Sequence, residues 1–314
     1  MQKIARRKFI ALTATGVAAT PLVARARWIG GRVTALEVVE RIKKNIGVEW
    51  KPETVDGFKA GDPSSGVTGI VTTALASLDA LGRAVKTGAN LIITSEPTFF
   101  SRADTPTPPV RRPFGARASS APAEPSVPPP PDPVFTGKDD FIKEHGMIIF
   151  RLSDHWSLRT PNPLAQGLAD SLGWSKVAGE GDLKTMTIPE TSLDALVVHV
   201  KKSLNSRGGL RIVGDPALRI RTIGILPGST PIQASIAMLP RVDALIAGEV
   251  REWESVEYVR DSVALGEKKA LILVGRIVSE EPGMRACSDW MKTIVPEVSS
   301  SWISAGDPYW RPTQ

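Results

Sequence analysis

Apolar residues recur along the chain with two spacings that alternate. Residues 34–46 repeat apolar positions every three or four residues, begin with Thr34 and Glu37 in capping-box spacing and stop at Gly47, so they predict a helix with both ends marked. A strand, a helix and a strand are then predicted at residues 67–72, 75–87 and 91–94. This order predicts an α/β layered structure.

The same alternation continues to the end of the chain. Further strands are predicted at residues 147–152, 211–213, 222–226, 244–247 and 270–274, and further helices at residues 164–172, 232–239, 253–264 and 284–294. We therefore expect two similar α/β halves, residues 27–177 and 178–314. Strand ends from both halves should face a cleft between them.

Residues 102–133 break the pattern. They hold eleven of the 26 prolines and almost no bulky apolar residue except Phe114. Such a segment cannot bury enough surface to offset the entropy lost on ordering. We interpret it as a flexible surface insertion; the alternative is a docking site for a partner that reads polyproline.

Residues 1–26 differ from the rest of the chain. Arg6 and Arg7 precede a modestly apolar stretch that ends in Ala24-Arg25-Ala26. This pattern resembles a twin-arginine export signal and predicts a periplasmic or exported protein, with no membrane segment after cleavage. The alternatives are a frayed amphipathic first helix and a start codon placed too early.

The net charge of +6 belongs to this leader. Six of the 39 basic residues lie among the first 27 positions, where there is no acid, and the remaining 33 equal the 33 acidic residues. The balance argues against nucleic-acid binding. The single cysteine, Cys287, excludes an intramolecular disulfide and a cysteine-rich metal site.

Polar side chains follow four of the predicted strands, where chemistry collects in α/β proteins. They are Ser95 and Glu96, Asp154 and His155, Glu249 and Glu252, and Arg276 and Glu280. Each pair also has a structural explanation as a cap, an internal hydrogen bond or a charged rim. Glu281 precedes Pro282 and should serve the first turn of the helix predicted at 284.

Three motifs near the C-terminus carry a family resemblance: GEVREWESVEYVRD, VGRIVSEEPGM and ISAGDPYW. Together with TVDGFKAGDP, GANLIITSEP and GILPGST, they resemble the NGG-one-interacting-factor-three-like family, also labelled GTP cyclohydrolase I type-two homologues. The resemblance implies two similar α/β halves, a dinuclear metal centre and a ring-shaped homohexamer.

The resemblance also implies metal ligands, of which Glu96, Asp154, His155 and Glu280 are the candidates in this chain. Ser95 and Arg276 stand where similar proteins have histidine. Loss of imidazole ligands disfavours transition metals, and the Arg276 guanidinium can pair with Glu96 or Glu280 in the place of a cation. Three states remain open: two divalent ions, one ion held by the four candidates, or none.

Two further groups of residues are candidates for binding or catalysis. Gly228, Ser229 and Thr230 lie between a predicted strand and helix and, with Arg276, predict an anion site, although such a turn also uses glycine for geometry alone. Glu249 and Glu252 are candidate proton carriers.

Two functions follow. The first is metal-assisted hydrolysis of a small heteroaromatic or phosphorylated substrate, with a metal-bound water as nucleophile. The alternative is a metal-poor or metal-free binding or scaffold protein, in which Arg276 neutralises the carboxylate site. Both predict a small-molecule ligand and a homo-oligomer.

Overall fold

The computed structural model describes residues 32–106, 132–174, 185–205 and 209–309. Within these ranges the chain forms two five-stranded sheets with helices on both faces, which confirms the α/β prediction. The predicted signal and residues 107–131 of the proline-rich insertion lie outside the described residues.

Helices and strands alternate over much of the described chain. The helices are α1 (Ala35–Asn45), α2 (Leu78–Thr87), α3 (Pro133–Glu144), α4 (Asp154–Leu158), α5 (Pro163–Ser171), α6 (Leu193–Ser203), α7 (Ile232–Met238), α8 (Glu257–Ala264) and α9 (Arg276–Ile294), with a 3-10 turn at Leu239–Arg241 and a π-helical turn at Glu252–Val256. The strands are β1 (Gly57–Ala60), β2 (Ile70–Thr73), β3 (Leu91–Thr94), β4 (Ile148–Arg151), β5 (Thr185–Ser192), β6 (Arg211–Val213), β7 (Arg219–Ser229), β8 (Ala244–Glu249), β9 (Ala270–Leu273) and β10 (Ser300–Trp302).

Both sheets have a parallel centre. Sheet one runs β1-β4-β3-β2-β10, with β1 as an antiparallel edge, and sheet two runs β5-β7-β8-β9-β6, with antiparallel edges on both sides. In each sheet the carboxyl ends of the parallel strands therefore meet at one edge, where ligand sites form in α/β folds.

Helices cover both faces of each sheet, and this explains the continuous apolar runs of the central strands. In β3, Leu91 and Ile93 face the core shared with α1 and α9, whereas Ile92 faces the core shared with α2 and α3. In β8, Ile246 faces α5 and α6, and Leu245 faces α7 and α8. Each strand thus buries alternate side chains on opposite sides.

Two helix boundaries illustrate how capping residues set them. The predicted capping box of α1 is confirmed, since the Glu37 N–H donates to Thr34 Oγ1 and Glu37 accepts from the Thr34 N–H. Helix α2 begins at Leu78, later than predicted, because the Ser77 side chain accepts from the Ala80 N–H and caps it there.

The C-terminal part of the chain departs from the predicted division at residue 178. Helix α9 begins at Arg276 rather than near residue 284 and continues through Pro282. Its Met284 and Cys287 are buried in the core of sheet one, and β10 pairs with β2 in parallel. Sheet one is therefore built from both ends of the described chain, and the boundary predicted from sequence is wrong for these residues.

Glu281 is also placed differently from its predicted role. It lies inside α9, and its Oε1 accepts from Ser304 Oγ and the Ala305 N–H, both at 2.7 Å. Glu281 thus fixes the segment that follows β10 and does not cap a first turn. No helix within the described ranges is long and apolar enough to cross a bilayer.

The close contact between α5 and α9 predicts that a larger side chain at Gly167 destabilises the fold. A Cβ on Gly167 would lie 2.6 Å from the Gly283 backbone nitrogen, whereas a Cβ on Gly82, inside α2, would meet nothing within 4 Å. Gly167→Ala should lower the free energy of unfolding by about 1–3 kcal/mol. Gly82→Ala should raise it by up to about 1 kcal/mol.

Chemical denaturation of both variants beside the unchanged protein measures these values. Equal stabilities of the two alanine variants would contradict the close helix contact.

Candidate functional site

Four of the eight predicted strand-end residues, two from each sheet, meet at one place. Ser95 and Glu96 follow β3 of sheet one, and Arg276 and Glu280 occupy the first turns of α9, which follows β9 of sheet two. A spacing of four residues places Arg276 and Glu280 on the same side of the helix. The local sequence did not predict that α9 begins early enough to contain both Arg276 and Glu280.

Arg276 and Glu96 form a two-point ion pair. Arg276 Nε donates to Glu96 Oε1 and Arg276 NH2 lies against Glu96 Oε2, both at 2.6 Å. The Glu96 side chain is 7% exposed and that of Arg276 is 35% exposed. Both oxygens of the carboxylate are thus engaged by a group that stays charged at any pH a protein tolerates.

Glu280 lies beside this pair and is almost fully buried. Ser95 Oγ is 2.7 Å from Glu280 Oε2, and the residue is 4% exposed. On its other side is Gly228 of β7, at φ +76°, where a Cβ would lie 2.6 Å from Glu280 Oε1. Glu280 therefore touches sheet one through Ser95 and sheet two through Gly228.

Burial raises the pKa of Glu280 to about 8, and the nearby Glu96 carboxylate adds to the rise, while Ser95 and Arg276 oppose it. Ser95 Oγ can donate to Glu280 Oε2 at 2.7 Å or to the Ala74 carbonyl at 3.1 Å. Because burial and the Glu96 carboxylate outweigh the opposing contacts, the raised pKa favours a protonated Glu280 and leaves Glu96 and Arg276 as the charged pair.

The structure places Asp154 and His155 in a separate hydrogen-bond network. His155 is fully buried, its Nδ1 lies 2.7 Å from Asp56 Oδ2, and its Nε2 accepts from the Lys51 N–H at 2.8 Å. The ring also stacks on Trp50 at 3.8 Å. Both ring nitrogens are engaged, so neither is available to a metal.

Asp154 is likewise used structurally. Its Oδ2 accepts from Thr54 Oγ1 at 2.9 Å and from the Val55 N–H at 3.1 Å. Asp56, which the sequence analysis missed, accepts the N–H groups of Ser153, Asp154 and His155 and so caps α4. The signal for it was an acid next to Gly57, which is typical of turns and caps.

The residues present do not fit the dinuclear metal centre that the resemblance implies. The four predicted ligands are divided between two networks, and the described ranges contain no group of three or more His, Cys, Asp or Glu residues arranged to hold an ion. Where the family pattern has a histidine, the Arg276 guanidinium contacts the Glu96 carboxylate directly.

The predicted anion loop is also built differently. Residues 227–229 belong to β7, the Gly228 N–H donates to Ser279 Oγ at 2.9 Å, and the Thr230 N–H donates to the Glu249 carbonyl at 2.8 Å. Thr230 Oγ1 donates to the Leu226 carbonyl. These donors are occupied internally, which corrects the prediction for Gly228 and Thr230; Ser229 is exposed beside them.

The two candidate proton carriers lie at the rim. Glu249 is exposed and lines a cavity of about 630 Å³ that Arg276 and Arg211 also line. Glu252 is exposed in the π-helical turn and pairs with Arg211. The structure thus brings Glu249 and Arg276 to one cavity, and Glu252 is not part of the lining of that cavity.

The chain is similar to a known protein family and to several solved structures. Residues 148–304, half of the chain, match the family described as Duf34/NIF3 (NGG1p interacting factor 3). No curated protein matches the sequence.

Solved structures match over most of the chain at low identity. The Staphylococcus aureus hypothetical protein SA1388 has a TM-score of 0.63 and 14% identity, covering 90% of this chain and 100% of that one. A Bacillus cereus protein related to NIF3 has 0.61 and 12%, covering 89% and 99%. Reduced HcgD from Methanocaldococcus jannaschii has 0.55 and 15%, covering 87% and 97%. At these identities the similarity concerns the fold.

The raised pKa of Glu280 predicts a pH effect on stability. Between its ordinary value of 4.5 and about 8, the folded chain keeps a proton that the unfolded chain has lost. The contribution is therefore fully present below about 4.5 and is lost as pH rises through 8. Glu280→Gln, which is neutral throughout, should lose less stability than the unchanged protein between pH 6 and pH 9.

The melting temperatures of the two proteins should diverge by at least a few degrees across this range, since each pKa unit corresponds to about 1.4 kcal/mol. Glu144→Gln, at an exposed position in α3, is the control and should follow the unchanged protein. Parallel curves for Glu280→Gln and the unchanged protein would show that Glu280 is ionised in the fold.

Proposed function

The chain belongs to the Duf34/NIF3 family, and from this premise we propose that it is a member that binds a small polar ligand without a metal centre. The observation that carries the proposal is the ion pair between Arg276 and Glu96, with both contacts at 2.6 Å. A fixed positive charge at this point repels a divalent cation and takes the carboxylate oxygens that would bind it.

The neighbouring Glu280 supports the same conclusion. A neutral carboxyl is a weaker metal ligand than a carboxylate, and Glu280 is held between Ser95 and Gly228, with no room for an added atom at Gly228. Because the raised pKa of Glu280 favours its protonated form near neutral pH, the Arg276 guanidinium alone can balance the remaining Glu96 carboxylate.

The ligand site in this proposal is the cavity beside Arg276. Its volume of about 630 Å³ falls within the range of small-molecule pockets. Arg276 reaches it with the part of its side chain that remains exposed, and Glu249 and Arg211 add charges of both signs. A polar ligand with groups of both signs suits such a lining.

Metal-assisted hydrolysis, the first function predicted from the sequence, requires carboxylates that are free to bind an ion. Glu96 and Glu280 are engaged by Arg276 and Ser95, so this function stays a prediction that a metal measurement decides.

Arg276→His tests whether the guanidinium closes the site. The substitution removes the fixed charge and supplies an imidazole beside Glu96 and Glu280, so near-stoichiometric zinc or manganese should bind where the unchanged protein holds background levels. Elemental analysis by mass spectrometry, on protein purified without a histidine tag and exposed to each metal, measures the difference.

Arg260→His is the matched control, because it also replaces an arginine paired with a glutamate, Glu257, but on the exposed face of α8. It should leave the metal content unchanged. Near-stoichiometric metal in the unchanged protein that falls in Glu96→Gln and Glu280→Gln would sink the proposal and favour the hydrolase.

Export is a separate proposal that rests on Arg6, Arg7 and the apolar stretch after them. A fusion of residues 1–30 to a reporter that functions only after twin-arginine transport should be exported, and replacing both arginines by lysine should stop it. Cytoplasmic retention of the unchanged fusion would refute the proposal. The homohexamer implied by the resemblance also stays a prediction, for which the native mass in solution is the test.

A further inference from the structure

A second group of buried charged residues lies beside the strand end that carries Ser95 and Glu96, since one of its members, Arg151, donates to the Ser95 carbonyl. Asp104 follows β3, Arg151 ends β4, and Lys138 lies in α3; their exposed fractions are 2%, 6% and 2%. Thr98, which is fully buried, contacts this group, since its carbonyl accepts from Lys138 Nζ at 2.5 Å. Charged side chains are rarely this buried unless they are paired or bind something.

Three side-chain atoms of this group have no hydrogen-bond partner among the described residues. They are Thr98 Oγ1, Asp104 Oδ2 and Arg151 NH1. The other polar atoms are used: Asp104 Oδ1 accepts from the Phe99 N–H at 2.8 Å, and Arg151 Nε donates to the Ser95 carbonyl at 3.2 Å. Buried polar atoms in native proteins nearly always have partners, so these three atoms are the ones in the group that are free to bind a small polar species.

The charges of the group do not balance. Arg151 and Lys138 are two cations against one acid, Asp104. Burial lowers the pKa of Lys138 to about 8 and raises the pKa of Asp104, because it disfavours the charged form of each group. A bound anion would supply the missing negative charge.

We propose that this group binds a small oxyanion that still carries a proton, of the hydrogenphosphate or hydrogencarbonate class. Arg151 NH1 and Lys138 Nζ donate to its anionic oxygens, Thr98 Oγ1 adds a donor, and Asp104 Oδ2 accepts the hydrogen of its hydroxyl group. Arg151 NH1 and Asp104 Oδ2 are 4.0 Å apart. One hydroxyl oxygen bridges that spacing when it accepts from the first atom and donates to the second.

Asp104 gives this site a selectivity that a simple cationic pocket lacks. A sulfate ion carries no proton at neutral pH, so its lone pairs would face the Asp104 carboxylate and be repelled. A phosphate or hydrogencarbonate ion offers a donor at the same point. The site should therefore distinguish between oxyanions by whether they carry a proton and not by their net charge.

Calorimetric titration of the full chain at pH 7 with inorganic phosphate, hydrogencarbonate and sulfate tests the proposal. Phosphate or hydrogencarbonate should bind and sulfate should not. Thr98→Val, which keeps the shape of the side chain, and Arg151→Gln should each weaken binding at least about tenfold. Asp104→Asn should gain sulfate binding, because the amide can donate where the carboxylate cannot.

Arg260→Gln, at an exposed arginine on α8, is the control and should bind as the unchanged protein does. The melting temperature of each variant shows whether it is folded, and Thr98→Val keeps the test valid if Arg151→Gln is not. No heat with either proton-bearing ion would mean that water alone satisfies the three atoms and would overturn the proposal. Sulfate binding equal to phosphate binding would overturn it as well.

Discussion

The contact of Arg276 with Glu96 joins the two sheets at their strand ends. Glu96 leaves sheet one after β3, and Arg276 opens the helix that follows β9 of sheet two. Glu96 and Glu280 are two acidic residues with exposed fractions of 6% and 4%, and burial of like charges near one another is costly without compensation. The Arg276 guanidinium pairs with Glu96, and the raised pKa of Glu280 favours its protonated form, so the chain itself supplies compensation where the sheets meet.

Helix α9 makes that contact available. Its first turns lie at the strand ends of sheet two, where the Gly228 N–H donates to Ser279 Oγ. Its later turns pack in the core of sheet one. Because one rigid helix serves both sheets, the position of Arg276 is set by the burial of residues such as Met291, about four turns further along. The packing of a helix, and not a loop, therefore positions Arg276 and Glu280.

The sequence correctly predicted features that depend on neighbouring residues. It did not predict features that depend on contacts with residues far away in the chain. The capping box of Thr34 and the apolar run of β3 are local, and both are confirmed. The start of α9 was wrong because Pro282 normally breaks helices, while here burial on both sides of it holds the helix. The pairing of Arg276 with Glu96 was one of two alternatives. The roles of Gly228 and His155 depend on partners 51 and 99 residues away.

The last strand of sheet one has a consequence for synthesis. Strand β2 pairs on one side with β3, only about twenty residues later, but on the other side with β10, at residues 300–302. Until residues 300–302 have left the ribosome, one edge of β2 has open N–H and C=O groups, which is a surface on which strands of other chains can add. A nascent chain, or one truncated before β10, therefore carries an aggregation hazard that the assembled sheet does not, because an early strand waits for a partner made more than 200 residues later.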